Sequence, residues 1–353
     1  MSAIRRTART MCSAKPPYRR DAMRVYHLET IGSLDGLVAR EEATPVPSDG
    51  EVLVRVRASA LNFRDLAIVL GKAPFPVRPG VVPISDAAGE VEAIGSGVSA
   101  VKVGDRVVSR FLPTWYGGRR TPNPETYGSD RDGWLTEYKV VRAEALSLAP
   151  ENLTFEEAAS LPCAAVTAWS ALLGVRAGDT VLTQGSGGVS LFALQLAKLL
   201  GARVIATTSS ARNGQRLKEE GADSVVDYVE NPQWAEAVRA LTAGRGVDRV
   251  VEVGGPGTLA QSLKAVTFGG EIAIVGALAE GNAGVDFMSL FRSQATLRCI
   301  SVGSRVDVEA MQRAVDVHAM HPVIDSVFPF ADARAAWAHY AGRDVFGKIV
   351  IRH

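Results

Sequence analysis

The stretch from Thr183 to Ser210 constrains the fold of this chain more than any other. An apolar run over residues 180–183 leads into a glycine cluster, and a pattern with helical spacing follows. Gly201 ends this pattern, and a second apolar run covers residues 203–207. The order of strand, tight turn, helix and strand predicts a parallel β-α-β unit with a right-handed crossover. The helix face expected to pack on the sheet consists of Val189, Phe192, Ala193, Leu196 and Leu200.

The glycine cluster lies where the predicted helix begins. Unpaired N–H groups and the positive end of the helix dipole would face the strand tips there, where a pyrophosphate can bind. The match to G-x-G-x-x-G is imperfect because the third position is Ser190, and a turn without a ligand would use similar residues. Since both flanking strands are present, we expect a dinucleotide to bind. Its predicted contacts in the turn are Gly185, Gly187, Gly188 and Val189.

The end of the second strand bears on which dinucleotide binds. An NAD enzyme usually places a carboxylate there, which accepts from the ribose 2′-hydroxyl. This chain has Ser209 and Ser210 instead, followed by Arg212. Because hydroxyls and a guanidinium can hold a 2′-phosphate that a carboxylate would repel, the segment favours NADP(H). Alternatively, the two serines cap the next helix and Arg212 is solvated.

Composition narrows the classes of function. A chain of 353 residues that is 47% hydrophobic can form two domains with substantial cores. Its net charge of +1 gives no electrostatic case for nucleic acid, and no apolar run reaches the roughly 18 residues of a membrane span. Cys12, Cys163 and Cys299 are too dispersed for a disulfide framework or a C-x-x-C metal site. We therefore expect a cytoplasmic enzyme that acts on a small molecule.

The first 22 residues are basic, with no acid before Asp21. They can be read as an organellar presequence, as a basic arm, or as a disordered leader ahead of a natural start at Met23. From Met23 onward, short alternating runs such as residues 51–57, 87–94 and 105–110 predict a small β-rich domain. The long polar loop over residues 111–134 is a candidate lid or oligomer contact.

After Pro150 the chain becomes helical around residues 155–173 and then alternates strand with helix. This alternation predicts an α/β fold with a doubly wound parallel sheet. A helix is expected near residues 309–319, and a last strand over residues 347–351 is expected to return to the first domain. The predicted strands cover residues 180–184, 203–207, 224–228, 248–253, 271–275 and 297–302.

Several motifs in sequence order resemble the medium-chain dehydrogenase/reductase superfamily, in its zinc-independent branch of quinone-oxidoreductase-like and alcohol-dehydrogenase-like proteins. The resemblance runs from Met23 to His353 and implies a GroES-like catalytic domain, covering residues 23–164 and 303–353, around a Rossmann NADP-binding domain of residues 165–302. The matching motifs are GEVLVRVRASALNFRDL (50–66), GDRVV (104–108), LPCAAVTAWSAL (161–172), the glycine turn, VVEVGGPGT (250–258) and FGKIVI (346–351).

This chain lacks most of the zinc ligands that the metal-dependent members of the superfamily carry. Those members carry a cysteine near Asn62 and a His-Glu pair near Ser85 and Asp86, whereas only Cys163 remains here at a ligand position. A single soft ligand does not make a catalytic zinc site, so we expect no metal. Cys163 is expected to be a buried small residue rather than a nucleophile.

Chemistry without a metal favours some substrates over others. Reduction of an isolated ketone concentrates charge on one oxygen, whereas reduction of a conjugated C=C or a quinone spreads that charge, so a few hydrogen-bond donors can suffice. We therefore expect an NADPH-dependent reductase of activated double bonds or quinones. A zinc-free alcohol/carbonyl dehydrogenase is the alternative enzyme, and a protein that binds NADPH without turnover is an alternative of another class.

The resemblance also assigns candidate site residues. Asn62, Arg64 and Asp65 are the catalytic candidates, with Arg64 as a donor and Asp65 as its orienting partner, although a salt bridge at a helix start would use the same pair. The proton donor stays open, because a tyrosine that relatives often carry is replaced by residues 71–74, where Lys72 or solvent could serve instead. Further cofactor contacts are expected at Thr167, Tyr228, Gly276, Val302 and Lys348, the last of which could instead be a surface residue.

The remaining predictions concern the substrate pocket and assembly. Trp115, Trp134 and Phe287 could wall an apolar pocket, or could be ordinary core residues. Pairing of a late edge strand near residues 297–302 is common in the superfamily that the chain resembles, so a homodimer is expected. We expect no nucleic-acid or membrane partner.

Overall fold

The computed structural model describes residues 22–122, 125–281 and 284–353. The predicted basic leader therefore lies outside the described residues, apart from residue 22. Within those three ranges, no helix combines the length and the apolar character needed to cross a bilayer.

Fifteen strands and ten α-helices make up the described chain. The strands are β1 Ala22–Leu28, β2 Leu37–Ala43, β3 Glu51–Ala60, β4 Asp86–Ile94, β5 Arg106–Ser109, β6 Tyr138–Arg142, β7 Leu146–Leu148, β8 Thr180–Gln184, β9 Arg203–Thr208, β10 Ser224–Asp227, β11 Val247–Glu252, β12 Val266–Ile274, β13 Thr296–Cys299, β14 Ile324–Pro329 and β15 Lys348–Arg352. The helices are α1 Phe63–Val69, α2 Phe155–Ala159, α3 Val166–Ala171, α4 Gly188–Leu199, α5 Ala211–Glu219, α6 Trp234–Leu241, α7 Leu259–Ala265, α8 Phe287–Ser293, α9 Arg305–Val317 and α10 Ala333–Ala341. A π-helical turn, Leu161–Ala165, joins α2 to α3, and 3₁₀ turns cover Leu34–Gly36, Ala143–Ala145, Gly255–Gly257 and Phe330–Asp332.

Strands from the N-terminal part of the chain and the last two strands form a largely antiparallel sheet. Six strands follow the order β14-β15-β3-β4-β5-β7, with β6 also paired to β3, while β1 and β2 form a separate pair. The alternating EVLVRVR motif lies in β3, whose apolar side chains are buried while Arg55 is exposed. The predicted terminal strand is confirmed, since β15 returns to pair antiparallel with β3.

The middle of the chain forms a six-stranded sheet in the order β10-β9-β8-β11-β12-β13. All of its pairings are parallel, and the strand order reverses between β8 and β11. The predicted doubly wound sheet is confirmed, and the crevice at its strand tips is where such sheets bind ligands.

Helix α4 packs on this sheet as its sequence pattern predicts. Phe192, Ala193 and Leu196 are buried in the largest core cluster, with Val189 and Leu200 packed against it. Gly201 follows the helix with φ +78°, a left-handed conformation that glycine adopts without steric cost.

Several predicted boundaries differ from the structure, and the largest difference is at β12, which begins at Val266 rather than at residue 271. Strand β13 ends at Cys299 rather than at residue 302, and Val302 has a left-handed backbone with φ +59°, which a strand does not adopt. Helix α9 begins at Arg305, earlier than predicted, because Ser304 and Asp307 form a capping box, and the chain leaves the helix before Ala319, which has φ +46°. The domain boundaries inferred from the resemblance stay predictions.

Candidate active site

The turn between β8 and α4 is shaped to accept an anion. Gly185 has φ +73°, and a Cβ built on Gly185 or on Gly187 would meet open space. Gly187 is the N-cap of α4 and offers no capping side chain. The hydroxyl of Ser190, at the third position of the motif, donates to the main-chain oxygen of Gln184 at 2.6 Å, so this residue fastens the turn to β8. The helix N–H groups and dipole therefore face the crevice, as pyrophosphate binding requires.

The last strand of the antiparallel sheet meets this turn. Gly187 and Gly347 form an isolated parallel bridge, and the Gly347 N–H donates to Ser186 O at 3.0 Å. A Cβ added to Gly188 would lie 2.7 Å from Cδ of Lys348. The start of α4 and the stem of Lys348 are thus in direct contact, which joins the two sheets at the crevice.

Lys348 points its ammonium group into the protein. The residue is 3% exposed, and Nζ donates to Leu61 O and to Asn62 Oδ1, both at 2.6 Å. The alternative that Lys348 is a surface residue is therefore wrong. Because an ammonium only donates, it fixes Asn62 with Oδ1 toward Lys348 and Nδ2 toward Ser85 Oγ, 3.4 Å away. Lys348 thereby orients the amide of a predicted catalytic residue.

Asp86 completes a buried polar chain behind that amide. Its Oδ1 accepts from Ser85 Oγ at 2.7 Å and its Oδ2 from the Cys163 N–H at 2.9 Å. Burial raises the pKa of Asp86, and the nearby charge of Lys348 opposes that rise. The network links the start of α1, the start of β4, the π-helical turn and β15.

Cys163 borders this network from the π-helical turn. The residue retains some exposed surface, but its thiol is surrounded by protein, and this desolvation raises the pKa of the thiol, as does the charge of Asp86. A thiol held neutral in this way is a poor nucleophile. The expectation that Cys163 is a small packing residue agrees with this environment.

Asp65 and Arg64 lie on the first turn of α1. Asp65 Oδ2 accepts the Asn62 N–H at 2.8 Å, while Oδ1 has no hydrogen-bond partner and lies 3.6 Å from Arg64 Nη1. Burial raises the pKa of Asp65 to about 6, with Arg64 opposing the rise and Asp86 adding to it. The predicted pairing of Arg64 with Asp65 is present as a loose ion pair.

Arg64 also holds the long loop against α1. Its guanidinium donates to Tyr127 O, Thr126 Oγ1 and Ser129 Oγ at 2.9, 3.3 and 3.2 Å. It also lies 5.1 Å from the ring centre of Phe111. Arg64 is therefore a structural anchor for the loop in this structure, and its role as a donor to substrate stays a prediction.

The residues expected to hold a 2′-phosphate lie beyond the tips of β9 and β10. Ser210 accepts the Asn213 N–H at 3.3 Å, so it caps α5 as the alternative interpretation holds, whereas Ser209 is exposed. The Arg212 side chain is 71% exposed, with Nη1 3.6 Å from Asp344. Tyr228 is 40% exposed, and its N–H donates to Thr208 O at the end of β9. These groups are accessible at one end of the crevice.

Two β-branched residues near the site have left-handed backbones. Ile84, directly before Ser85, has φ +73° and is fully buried, and Val302 has φ +59°. Such conformations are strained for β-branched side chains and persist where the surroundings enforce them. Gly276 leaves room for a neighbour, since a Cβ there would lie 2.7 Å from Val253 O. Thr167 is 4% exposed in α3. Contacts of these residues with the cofactor stay predictions.

The three aromatic pocket candidates lie in three different environments. Trp134 is 1% exposed in a core cluster with Tyr127, as the core interpretation expects. Trp115 packs against the largest core cluster, and its Nε1 donates to Gly118 O at 3.0 Å. Phe287 is 71% exposed on α8 and stacks on Phe291. The structure does not bring them into one pocket wall.

The residues at the family's metal position do not suit zinc. Both carboxylate oxygens of Asp86 already accept hydrogen bonds, and Cys163 is the only cysteine at a ligand position. The cation of Lys348 lies beside these groups and would repel a metal ion. In the part of the chain that the structure describes, no group of three or more His, Cys, Asp and Glu residues is arranged to hold a metal.

Sequence reasoning missed two parts of this centre. Asp86 was noted only as a lost metal-ligand position, and the pairing of Lys348 with Asn62 was not foreseen. Gln184 and Glu252 were also missed. Gln184 Nε2 donates to Glu252 at 2.9 Å, and Gln184 Oε1 accepts from the Val253 and Gly254 N–H groups. The sequence offered one signal for Lys348: it follows Gly347 in the last strand, which was expected to return to the first domain.

Comparison with known proteins gives concordant matches over both sheets. The family model described as an alcohol dehydrogenase GroES-like domain matches residues 48–151, and that described as a zinc-binding dehydrogenase matches residues 188–317. A zinc-type alcohol dehydrogenase-like protein of Schizosaccharomyces pombe is 38% identical over 343 residues, covering 94% of this chain and 99% of the relative. The quinone oxidoreductase of Homo sapiens is 26% identical over 347 residues, covering 93% and 97%.

Solved structures agree with these relatives. An NAD-dependent alcohol dehydrogenase superposes with a TM-score of 0.87 at 35% identity, covering 94% of this chain and 100% of the other. A mycobacterial protein in complex with NADPH superposes with a TM-score of 0.78 at 30% identity, covering 94% and 100%. The fold, the motifs and these matches together show that the chain is an oxidoreductase of the medium-chain dehydrogenase/reductase superfamily, with a GroES-like domain and a Rossmann-type domain.

Proposed function

We propose that this protein reduces a conjugated C=C bond or a quinone with NADPH and without zinc. The observation that carries the proposal is the buried contact of Lys348 with Asn62 beside the first turn of α4. It provides an amide that is oriented by a buried cation, beside the crevice where such a fold binds a dinucleotide. These are hydrogen-bond and charge donors of the kind that stabilise a delocalised negative charge.

NADPH is the proposed cofactor because of the residues beyond β9. No carboxylate follows the strand within the TTSS segment, and Arg212 is exposed to meet a 2′-phosphate. Its pairing with Asp344 is between two exposed groups and is therefore weak enough to be displaced. The glycine turn would hold the pyrophosphate, and Thr167, Gly276 and Val302 are proposed to border the nicotinamide.

The roles of the protein residues follow from their contacts. NADPH, when bound, supplies the hydride. Asn62 keeps its Nδ2 as a donor because Lys348 occupies its oxygen, and Lys348 compensates negative charge that develops nearby. Asp65 fixes the start of α1 through the Asn62 N–H, so the position of this donor depends on an acid that is itself buried.

A zinc-free alcohol or carbonyl dehydrogenase is the second candidate. It is favoured by the relatives, among which the fungal protein and the NAD-dependent structure are described as alcohol dehydrogenases. An NADPH-binding protein without turnover is a third hypothesis, and the absence of a tyrosine from residues 71–74 favours it.

Assembly and location are also proposals. We propose a homodimer formed through β13, at the edge of the parallel sheet, with the exposed and stacked Phe287 and Phe291 of the neighbouring helix α8 covered by the second copy. We also propose a cytoplasmic location, which agrees with the free thiols of Cys163 and Cys299 because the cytoplasm is reducing.

Absorbance at 340 nm tests the reaction class. Purified protein is mixed with NADPH or NADH and with 1,4-benzoquinone, but-3-en-2-one, hexanal or hexan-1-ol plus the oxidised cofactor. We expect turnover of the quinone or the enone with NADPH preferred. Turnover confined to hexanal and hexanol would support the dehydrogenase instead, and tight NADPH binding with no turnover would support the binding protein.

A further inference from the structure

A short segment before β15, residues 344–347, connects the glycine turn to the start of α5. At one end, the Gly347 N–H donates to Ser186 O at 3.0 Å, and Ser186 Oγ donates to Val345 O at 3.4 Å. At the other end, the carboxylate of Asp344 lies 3.6 Å from Nη1 of Arg212 on α5. The segment therefore reaches from the turn proposed to bind the pyrophosphate to the residue proposed to hold the 2′-phosphate.

Contacts of Phe346 fix this segment independently of the exposed ion pair. Phe346 is 2% exposed, and its N–H donates to Asp325 Oδ1 at 2.8 Å. The guanidinium of Arg216, one turn after Arg212 on α5, lies 3.7 Å from the centre of the Phe346 ring, and a cation over an aromatic ring is attractive. Asp344 is thus kept beside Arg212 by its chain neighbours, although its side chain is 77% exposed.

The position of Asp344 bears on which cofactor can use Arg212. A phosphate monoester is anionic at neutral pH, and a 2′-phosphate bound to Arg212 would share one guanidinium with the carboxylate, so the two anions would repel each other. NAD(H) lacks this phosphate and needs no contact with Arg212. The carboxylate therefore penalises only the phosphorylated cofactor.

We propose that Asp344 competes with the 2′-phosphate for Arg212 and thereby limits the preference of the protein for NADP(H) over NAD(H). This inference rests on the proposed function, since it takes the 2′-phosphate to bind at Arg212. An NAD enzyme usually carries its discriminating carboxylate at the end of the second strand of the Rossmann sheet. Here the TTSS segment at the end of β9 lacks that carboxylate, and Asp344 supplies one from the other half of the molecule.

Asp344→Asn tests the proposal, because it removes the charge and keeps the size of the side chain. Calorimetry measures the Kd for NADP⁺ and for NAD⁺ at low ionic strength, where exposed charges are least screened. We expect the Kd for NADP⁺ to fall by about 5-fold and the Kd for NAD⁺ to change by less than about twofold. The matched control is Asp49→Asn, exposed in the turn before β3, which should alter neither Kd. An unchanged Kd for NADP⁺ in Asp344→Asn would overturn the proposal.

A second variant separates this inference from the proposed function. Arg212→Gln removes the shared cation, so we expect it to raise the Kd for NADP⁺ by about 10-fold and to abolish the effect of Asp344→Asn when the two are combined. An equal gain from Asp344→Asn with and without Arg212 would overturn the competition. If Arg212→Gln weakens NADP⁺ binding while Asp344→Asn changes nothing, the phosphate contact stands and only this inference is wrong. If Arg212→Gln leaves both Kd values unchanged, the proposed phosphate contact is wrong and this inference fails with it.

Discussion

Two buried carboxylates, Glu252 and Asp65, lie in the two halves of the molecule and differ in how many hydrogen bonds they accept. Glu252, at the tip of β11, is fully buried and accepts from Gln184 Nε2, the Gly255 N–H, Thr258 Oγ1 and Ser262 Oγ. Asp65 is 1% exposed, yet one of its oxygens lacks a hydrogen bond and its pKa rises to about 6. The Rossmann-type sheet satisfies its acid with fixed donors, whereas the catalytic half leaves its acid incompletely satisfied.

The difference indicates separate purposes for the two acids. Glu252 holds the loop after β11, which includes Gly255, in one conformation. Asp65 instead has Arg64 as a loose ion-pair partner, and the charge that acts on Asp86 is Lys348, which also orients Asn62. A buried carboxylate oxygen without a hydrogen bond is costly for stability, and such groups are typical of functional sites.

Glu252→Gln should produce the largest effect on stability. The amide nitrogen introduces a donor that faces the donors of Ser262 and Gln184, so several buried groups lose their acceptor. We expect a loss of about 4 kcal/mol in the free energy of unfolding. Urea denaturation measures it, with the exposed Glu230→Gln as control. A loss below about 1 kcal/mol would show that the network is not structural.

Lys348→Met should lower the catalytic rate. Removing the ammonium frees the oxygen of Asn62 and leaves Asp86 without its cation, and we expect kcat to fall by about 100-fold, or about 2.7 kcal/mol. The Kd for NADPH should change by less than about threefold, because Nζ points to Asn62 rather than to the crevice. Exposed Lys218→Met is the control. A large rise in the Kd with kcat preserved would contradict this role and favour the prediction that Lys348 contacts the cofactor directly.

Asp65→Asn should change how stability depends on pH. The folded-state pKa of about 6 lies above the ordinary value of 3.8, so the folded protein binds more protons than the unfolded chain between these values. The free energy of unfolding should therefore fall as pH rises from 4 to 7, by about 2 kcal/mol on account of this group. Asp65→Asn should remove that fall, while the exposed Asp49→Asn should keep it. Identical pH profiles for the three proteins would contradict the raised pKa.

The Rossmann-type half could be predicted closely from the sequence because its signals are local. The glycine turn, the apolar face of α4 and Gly201 lie within one stretch, and the doubly wound parallel sheet follows from β-α alternation. The end of β13 was predicted three residues too late, and nothing in the sequence signals the left-handed backbone of Val302.

The catalytic centre was less predictable because its residues are distant in sequence. Asn62, Asp86, Cys163 and Lys348 meet only after β15 pairs with β3 and Gly347 bridges to Gly187. No local pattern shows that the ammonium of Lys348 turns inward, or that α10 brings Trp337 to the backbone of Asp65. The resemblance identified Asn62 and Cys163 as site positions, but the contacts that give them a role come from tertiary structure.

Turnover by metal-free protein tests the central claim most directly. The protein is dialysed against a chelator, its zinc content is measured by elemental analysis, and NADPH oxidation with but-3-en-2-one or 1,4-benzoquinone is followed at 340 nm. We predict full activity with no stoichiometric zinc and no stimulation by added zinc. Activity that disappears on chelation and returns with zinc would contradict the account.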